Sequence, residues 1–381
     1  MKKNIAILGS TGSIGINTLK VIDRYRDQFN VVALTAYQNS DLLVEQARKY
    51  APKYVAATDE NIGQLRKRLN SGKIKVCSVD HDLSMIASLP EVDVVVLAMR
   101  GSAALLPFLS ALRAGKIVAP ANKEALVIAG DILMEEARKF GAVIIPIDSE
   151  QSAIFQCLHG QKRDELKRVL LTASGGALLR VPASKFNRLT VKQILSHPRW
   201  KMGAKITVDS ATLMNKGFEV IEAQKLFNLK ADEIEVVIHP EAIIHSMVEY
   251  RDGSVMAQLA VTDMRLPIQY ALTYPKRLDT GLPDLDFFKL KSLHFEKPDL
   301  KRFPSLALAF HVAKKGGSLP CVLNATDELA VEAFLNSKIK FTKMFDVIER
   351  IVLKHKLIHR PDLNQILAVD QWAREETRKL L

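Results

Sequence analysis

Two acidic residues close one of the apolar runs of this 381-residue chain. In the stretch IPIDSEQSAIFQ, Asp148 and Glu150 flank Ser149. If the run is a buried strand, its extended backbone points both carboxylates toward the same small volume. Such a pair requires a cation, a shared proton or open water. A simpler alternative stays open, in which Asp148 or Ser149 caps a helix formed by QSAIFQCLH.

Glu219 is a third acid that can join this pair. It lies in KITVDSATLMNKGFEVIEA, three residues beyond Lys216, at the predicted start of a helix that follows a predicted strand KITVDS. With Asp148 and Glu150 it completes an all-oxygen triad suited to Mg²⁺ or Mn²⁺, hard cations that keep positions open for substrate oxygens. Taken alone, Glu219 is more typical of an exposed helix surface.

Segments between these acids are rich in groups that bind phosphate. They are LLTASGG with Ser174, HPRWKMG with His197, and SATLMNKG with Ser210, Asn215 and Lys216. Each is predicted to be a strand end or a loop, where hydroxyl groups, amides and backbone N–H groups can surround an anion.

A glycine-rich stretch near the start, ILGSTGSIGINTLKVI, joins a predicted strand to a predicted helix. Gly9, Gly12 and Gly15 allow a pyrophosphate to approach the backbone, and the helix N-terminus supplies oriented N–H donors. The alternative is an ordinary tight turn. After the second strand, Tyr37-Gln38-Asn39-Ser40 contains no acid to hold a ribose 2′-hydroxyl, which favours NADP over NAD.

The elements that position these residues change in type along the chain. Residues 1–147 alternate β-branched runs with amphipathic stretches, which predicts a doubly wound α/β domain with a parallel sheet. Residues 148–273 are predicted to be an α+β domain with an antiparallel hairpin at Arg251-Asp252-Gly253. Residues 274–304 are interpreted as a linker and residues 305–381 as a helical domain.

Composition narrows the class of protein. The hydrophobic content of 48% indicates a globular chain, and the formal net charge of +12 favours anionic partners. No arginine-rich tail or nucleic-acid-binding motif is present, so small phosphorylated ligands are expected rather than nucleic acid. Three widely spaced cysteines, with no secretory or membrane-spanning segment, predict a soluble cytoplasmic protein.

Taken together, the motifs resemble the 1-deoxy-D-xylulose 5-phosphate reductoisomerase family. The likeness extends from GSTGSIG at Gly9 through ANKEALV, PIDSE, HPRWKMG, NKGFEVIEA and HPEAIIHSMVEY to TDMRLPI at Thr262. Several motifs in one order are far more specific than any one of them. The C-terminal helices resemble the family only in length and placement.

The resemblance implies a V-shaped homodimer. Each subunit would have a Rossmann-like NADPH domain, a central α+β domain with the active site and a dimer sheet, and a C-terminal helical bundle. The implied reaction isomerises 1-deoxy-D-xylulose 5-phosphate and reduces the product with NADPH to 2-C-methyl-D-erythritol 4-phosphate, in the non-mevalonate route to isoprenoids. The implied metal is Mg²⁺ or Mn²⁺, with Co²⁺ as a further possibility.

Site residues carry over from the family by position. Metal ligands would be Asp148, Glu150 and Glu219, and with Lys123 these form the catalytic set. Substrate contacts would be Lys123, Ser149, Glu150, Ser174, His197, Ser210, Asn215, Lys216 and Glu219. The phosphate would be held by Ser174, Ser210, Asn215 and Lys216. NADPH contacts would be Thr11, Gly12, Ser13, Ile14, Tyr37, Gln38, Asn39, Asn122, Glu124 and Gly203. A lid would include His197, Trp200 and Met202.

Some features leave other interpretations open. Tyr37 stands where many relatives are expected to have glycine, and the lid tryptophan and methionine are also compatible with plain core packing. His239 and His245 are interpreted as packing residues. The rival functions are a metal-independent NADP dehydrogenase, in which the acids are helix caps, and a regulatory protein that binds NADPH without turnover.

Overall fold

The computed structural model describes residues 2–69, 72–196 and 203–381. Its strands are β1 (Lys3–Leu8), β2 (Phe29–Thr35), β3 (Tyr54–Ala57), β4 (Lys75–Ser78), β5 (Val94–Leu97), β6 (Ile117–Pro120), β7 (Val143–Ile144), β8 (Leu166–Ala173), β9 (Ile234–Ile238), β10 (Ile244–Tyr250) and β11 (Val255–Leu259).

Helices lie between and after these strands. They are α1 (Ser13–Arg24), α2 (Ser40–Tyr50), α3 (Asp59–Arg68), α4 (Leu83–Ala87), α5 (Leu105–Arg113), α6 (Glu124–Phe140), α7 (Ser149–Leu158), α8 (Val191–Ile194), α9 (Ala204–Thr212), α10 (Met214–Phe227), α11 (Arg265–Thr273), α12 (Phe287–Leu290), α13 (Pro304–Lys315), α14 (Leu319–Leu335), α15 (Phe341–Lys354) and α16 (Leu363–Arg378).

The first compact unit contains a seven-stranded sheet in the order β4-β3-β2-β1-β5-β6-β7, with every pair parallel. Its central strands are mostly apolar and buried, as in β5, whose residues Val94–Leu97 are all buried. The strand order reverses beside β1, which is where doubly wound sheets bind ligands. The doubly wound α/β prediction is confirmed.

The glycine loop joins β1 to α1 within this unit. Gly9 has φ +96°, and a Cβ there would lie 2.6 Å from the carbonyl oxygen of Ala98. A Cβ on Gly15 would lie 2.5 Å from the carbonyl carbon of Ser10, so the first turn of α1 packs directly on the loop. No side chain caps α1, whose N-cap is Gly12. The first N–H groups of the helix are therefore oriented donors without a capping side chain.

The second compact unit contains a four-stranded sheet in the order β11-β10-β8-β9. Strands β10 and β11 pair in antiparallel fashion across Arg251-Asp252-Gly253, which confirms the predicted hairpin. Strands β8 and β9 pair in parallel. The helices α13 to α16 belong to the same unit, where α14 packs against α13, α15 and α16 and forms the centre of a helical bundle.

One element prediction is wrong. KITVDS is not a strand, because Ala204–Thr212 forms helix α9. The alternation of Ile206 and Val208 imitates a strand. The helix is stabilised by contacts that the alternation does not report, including a bond from the Thr207 hydroxyl to the Gly203 carbonyl (2.9 Å) and a Lys205–Asp209 ion pair (2.6 Å).

The chain between the second sheet and the bundle divides between the two units. Asp263–Leu282, which includes α11, belongs to the first unit, and Pro283–Leu381 belongs to the second. Helix α11 packs against α1 and β6. None of the helices in the described ranges combines the length and apolar character of a membrane span.

A buried histidine on β10 predicts a pH dependence of stability. Burial lowers the pKa of His245 from an ordinary value of 6.5 to about 4. The unfolded chain therefore binds a proton more readily than the folded one, and stability is lost as the pH falls from 6.5 toward 4. We expect this residue alone to account for a loss of up to about 3 kcal/mol of unfolding free energy.

Denaturant unfolding between pH 7.5 and pH 4 checks this expectation. His245→Asn should shrink the loss over that window. His359→Asn, at an exposed histidine, is the matched control and should keep the wild-type pH dependence. Equal pH dependence in wild type and His245→Asn would contradict the assignment.

Candidate active site

The acid pair lies at the start of helix α7 rather than in a strand. Ile147 still hydrogen-bonds beside β6, through its N–H to the Pro120 carbonyl (3.0 Å), but the helix begins at Ser149. Asp148 accepts a hydrogen bond from the Glu150 N–H (3.3 Å). The predicted extended backbone is therefore wrong for these residues. The helix start nevertheless keeps both side chains near one another, because Glu150 is in the first turn.

The structure brings Asp148, Glu150 and Glu219 together. One carboxylate oxygen from each residue lies within 4.8 Å of those from the other two. Glu219 comes from α10 and is buried, whereas the other two are partly accessible. Three hard oxygen donors at this separation fit the ligand set of Mg²⁺ or Mn²⁺, and they leave positions for water or substrate oxygens.

Basic side chains pair with two of the three acids in this carboxylate cluster, Asp148 and Glu219. The Lys123 ammonium lies 2.7 Å from Asp148, with the lysine side chain 7% exposed. Lys216 forms an ion pair with Glu219, and the Asn215 amide donates to the same carboxylate at 2.6 Å. Two ammonium groups against three carboxylates leave a local excess of negative charge. A divalent cation would reverse that excess.

A second group of predicted residues lies in the second unit around the turn after β8. Gly175 and Gly176 both have positive φ (+84° and +65°), and Ser174 lies directly before them. A Cβ on Gly176 would lie 2.7 Å from the carbonyl carbon of Ser210, so this turn packs directly on α9. The structure therefore places Ser174 near the end of α9 that carries Ser210.

Helices α9 and α10 meet next to this turn. The residue between them, Leu213, has a left-handed backbone (φ 61°), and α10 has no side-chain N-cap. Asn215 and Lys216 occupy the first turn of α10. A helix N-terminus with an amide and an ammonium beside it favours an anion such as phosphate.

The residues expected to contact the dinucleotide follow strands of the parallel sheet. They follow β1 (Thr11, Gly12, Ser13, Ile14), β2 (Tyr37, Gln38, Asn39) and β6 (Asn122, Glu124). The carboxyl ends of parallel strands lie at one edge of a sheet, so these residues lie on the same edge. Gly203 is the N-cap of α9 in the second unit.

Local contacts fix several of these dinucleotide residues. The Asn122 amide donates to the carbonyls of Met99 (2.9 Å) and Gly101 (3.1 Å), which lie beyond β5. The Asn39 side chain caps α2 by accepting from Leu42 N–H at 3.0 Å. Tyr37 is 67% exposed, so its ring is available to a ligand. The uncapped α1 and the close-packed glycine loop fit a pyrophosphate.

Sequence reasoning missed a support of the glycine loop. The Ser10 hydroxyl donates to the Gln46 side chain (2.7 Å), and the Gln46 amide donates back to the Ser10 carbonyl (3.0 Å). Both residues are buried. A glutamine in an amphipathic helix carries no signal of this role, because the pairing depends on how α2 packs.

The lid candidates and the histidines of HPEAIIH are the remaining residues that the sequence analysis singled out. The lid candidates His197, Trp200 and Met202 lie outside the described residues. His239 is buried, with its Nδ1 at 2.9 Å from the His294 carbonyl and its Nε2 accepting from the Ile243 N–H at 3.2 Å. Within the described ranges, the carboxylate cluster is the group of acids, histidines or cysteines arranged for a metal.

Comparison with known proteins gives a consistent result. Family models match residues 5–130 (1-deoxy-D-xylulose 5-phosphate reductoisomerase), 144–227 (its C-terminal domain) and 259–376 (DXP reductoisomerase C-terminal domain). A reductoisomerase of this name from Bacteroides fragilis is 47% identical over 381 residues, 100% of this chain and 98% of the relative. One from Thermoanaerobacter pseudethanolicus is 49% identical, over 99% of each chain.

Solved structures agree with these relatives. A reductoisomerase from Zymomonas mobilis in complex with NADPH superposes with a TM-score of 0.94, at 39% identity over 100% of this chain and 99% of that one. A second structure, with NADPH, fosmidomycin and magnesium, gives 0.94 at 39% identity over 99% and 98%. Together with the metal-binding geometry, this similarity along the whole chain shows that the protein belongs to the 1-deoxy-D-xylulose 5-phosphate reductoisomerase family.

Proposed function

We propose that this chain converts 1-deoxy-D-xylulose 5-phosphate into 2-C-methyl-D-erythritol 4-phosphate, in the non-mevalonate route to isoprenoid precursors. The observation that carries the proposal is the meeting of Asp148, Glu150 and Glu219, with an oxygen of each within 4.8 Å of the others. Family membership and the NADPH-fitting glycine loop support it. When bound, the divalent ion supplies Lewis acidity and NADPH supplies the reducing electrons.

The chain's own residues bind and orient the substrate. Ser174, Ser210, Asn215 and Lys216 hold the phosphate, which is remote from the carbon atoms that react. Binding energy at that remote group can hold the reacting end of the sugar in place, so it contributes to rate as well as affinity. The first turn of α10 is suited to this task because its N-cap residue, Leu213, makes no side-chain bond to the N–H groups of the helix N-terminus.

The reacting end of the substrate meets charged side chains. The Lys123 ammonium would stabilise negative charge on substrate oxygens, and its ion pair with Asp148 at 2.7 Å supports this role. Glu150 can receive a proton on a carboxylate oxygen, and the Ser149 hydroxyl already donates to its Oε2 at 2.5 Å. Lys123 and Glu150 therefore both bind the reacting end of the substrate and stabilise the charge that develops there.

The cofactor is proposed to bind at the sheet edge described above. Thr11, Gly12, Ser13 and Ile14 would receive its pyrophosphate at the N-terminus of α1. Tyr37, Gln38 and Asn39 would surround the adenosine end, where the absence of an acid removes repulsion against a 2′-phosphate. Asn122 and Glu124 would contact the nicotinamide end of the cofactor.

A homodimer is also proposed, with the edge strand β11 at the interface. Val255 is 49% exposed and Met256 is 42% exposed on this strand. Natural proteins usually protect an edge strand with charges, proline or a covering element, so an apolar edge indicates a covering partner. A cytoplasmic location is proposed as well, because all three cysteines are free thiols.

The metal assignment predicts the effect of removing one carboxylate charge. Glu219→Gln should lower the turnover of deoxyxylulose phosphate with NADPH by at least about 100-fold, because one of the charged metal ligands is lost. NADPH binding should stay near the wild-type level. Turnover is followed by NADPH absorbance with and without Mg²⁺, and NADPH binding by fluorescence titration.

Glu136→Gln is the matched control for that experiment. Glu136 is also a glutamate paired with a basic residue, Arg113, and its side chain is 15% exposed, but it lies in the part of α6 that belongs to the first unit. It should keep wild-type turnover. Wild-type NADPH oxidation that survives complete chelation would contradict the metal role and favour a metal-independent dehydrogenase.

The dimer proposal predicts that charge on β11 separates the subunits. Val255→Lys combined with Met256→Lys should shift the sedimentation coefficient from that of a dimer to that of a monomer at micromolar concentration. Leu367→Lys, at a residue of α16 that is 43% exposed, is the control and should leave the dimer intact. A wild-type chain that sediments as a monomer would overturn the proposal.

A further inference from the structure

A buried ionic cluster lies in the second unit beside the proposed phosphate site. The Lys205 ammonium is 2.6 Å from Asp209 Oδ2 and 2.7 Å from Asp327 Oδ2. The two aspartate side chains are 4% and 2% exposed, and the lysine side chain is 25% exposed. Lys205 and Asp209 belong to α9, whereas Asp327 belongs to α14 at the centre of the helical bundle.

The lysine also contacts a third helix. Its ammonium lies 4.8 Å from the centre of the Phe218 ring, on α10. This helix carries Asn215, Lys216 and Glu219. A cation over an aromatic face is attracted by the electron-rich ring. Lys205 therefore joins the bundle to both helices that supply proposed phosphate contacts.

The helix dipole does not explain the placement of these charges. Lys205 lies in the first turn of α9, where the helix dipole disfavours a positive charge, and Asp209 lies toward the end, where it disfavours a negative one. The pairing across α9 and α14 offsets this cost. Burial raises the pKa of Asp327, and the Lys205 ammonium opposes that change. The cluster is thus built for contact between helices.

The position of α9 matters because the phosphate site is packed against it. Ser210 follows Asp209 directly, and a Cβ on Gly176 would lie 2.7 Å from the Ser210 carbonyl carbon. There is no room for α9 to move toward the Gly175-Gly176 turn. A shift of α9 away from the turn would separate Ser210 from Ser174.

We propose that Lys205 is a positioning residue that ties α9 to Asp327, so that α9 holds Ser210 against the Gly175-Gly176 turn of the phosphate site. The inference rests on the proposed function, since it assigns a role within that site. Lys205 acts on the substrate through α9, and the C-terminal bundle thereby contributes to substrate binding.

Steady-state kinetics of Lys205→Met test this role. The KM for deoxyxylulose phosphate should rise about tenfold, the equivalent of about 1.4 kcal/mol of binding. The KM for NADPH should rise less than the KM for deoxyxylulose phosphate, because α9 supplies one proposed cofactor contact, its N-cap Gly203, whereas the other proposed contacts belong to the first unit. Lys205→Arg, which keeps the charge, should restore most of the affinity.

Arg374→Met provides the matched control. Arg374 also pairs with two acids, Glu328 and Asp370, and its side chain is 20% exposed, but it joins α14 to α16 rather than to α9. Its loss should lower the melting temperature of the protein and leave the KM for substrate unchanged. A merely structural role for Lys205 would make both variants behave alike.

The KM values of the variants decide whether Lys205 is a positioning residue. A folded Lys205→Met variant with the wild-type KM, or an equal rise in KM for Arg374→Met, overturns it. If Lys205→Met does not fold, Asp327→Asn, which removes one ion pair and keeps the side-chain shape, decides on the same criterion. An active wild type with an unaffected variant rejects this inference alone, whereas an inactive wild type rejects the proposed function and the inference with it.

Discussion

Repulsion among three carboxylates is the constraint on which this site depends. Asp148, Glu150 and Glu219 place oxygen atoms within 4.8 Å of one another. Like charges at about 4 Å repel by about 1 kcal/mol in water and several times more near a protein interior, so the fold must hold them together against this force. Lys123 and Lys216 relieve part of the repulsion. A divalent ion held by the three carboxylates would relieve the remainder.

The secondary structure around the site serves this arrangement. Helix α7 begins directly after Asp148, so its first turn fixes Glu150 relative to its neighbour. Helix α10 presents Asn215, Lys216 and Glu219 on one short stretch, and two of these residues bond the third. The groups proposed to bind the phosphate and the metal therefore lie next to one another on α10. A substrate with a phosphate at one end and adjacent oxygens at the other matches this combination.

The sequence predicts the parallel sheet well because each strand is read from its own residues. The runs of valine, isoleucine and alanine in β1 and β5 are typical of strands covered on both faces. The hairpin at Asp252-Gly253 is also a local signal, and the structure confirms it. The strand prediction for KITVDS is wrong because the alternation of apolar residues does not report the ion pairs of α9, one local (Lys205–Asp209) and one distant (Lys205–Asp327). The Lys205–Asp327 pair that stabilises α9 joins residues 122 positions apart, so no local pattern reveals it.

The site is harder to predict from local sequence patterns than the fold, because its residues come from distant parts of the chain. The spacing of Asp148 and Glu150 suggested an extended pair, although both positions belong to a helix start. The approach of Glu219 followed from the order of family motifs, because nothing in its own helix distinguishes it from an exposed glutamate. Gln46, which holds Ser10, was missed because its role depends on the packing of α2.

Anomalous scattering from crystals grown with Mn²⁺ would locate the ion relative to the three carboxylates. We expect one strong peak per chain, with oxygen atoms of Asp148, Glu150 and Glu219 all at about 2 to 2.6 Å from the ion. An empty cluster at millimolar Mn²⁺, or an ion that Glu219 does not contact, would contradict it.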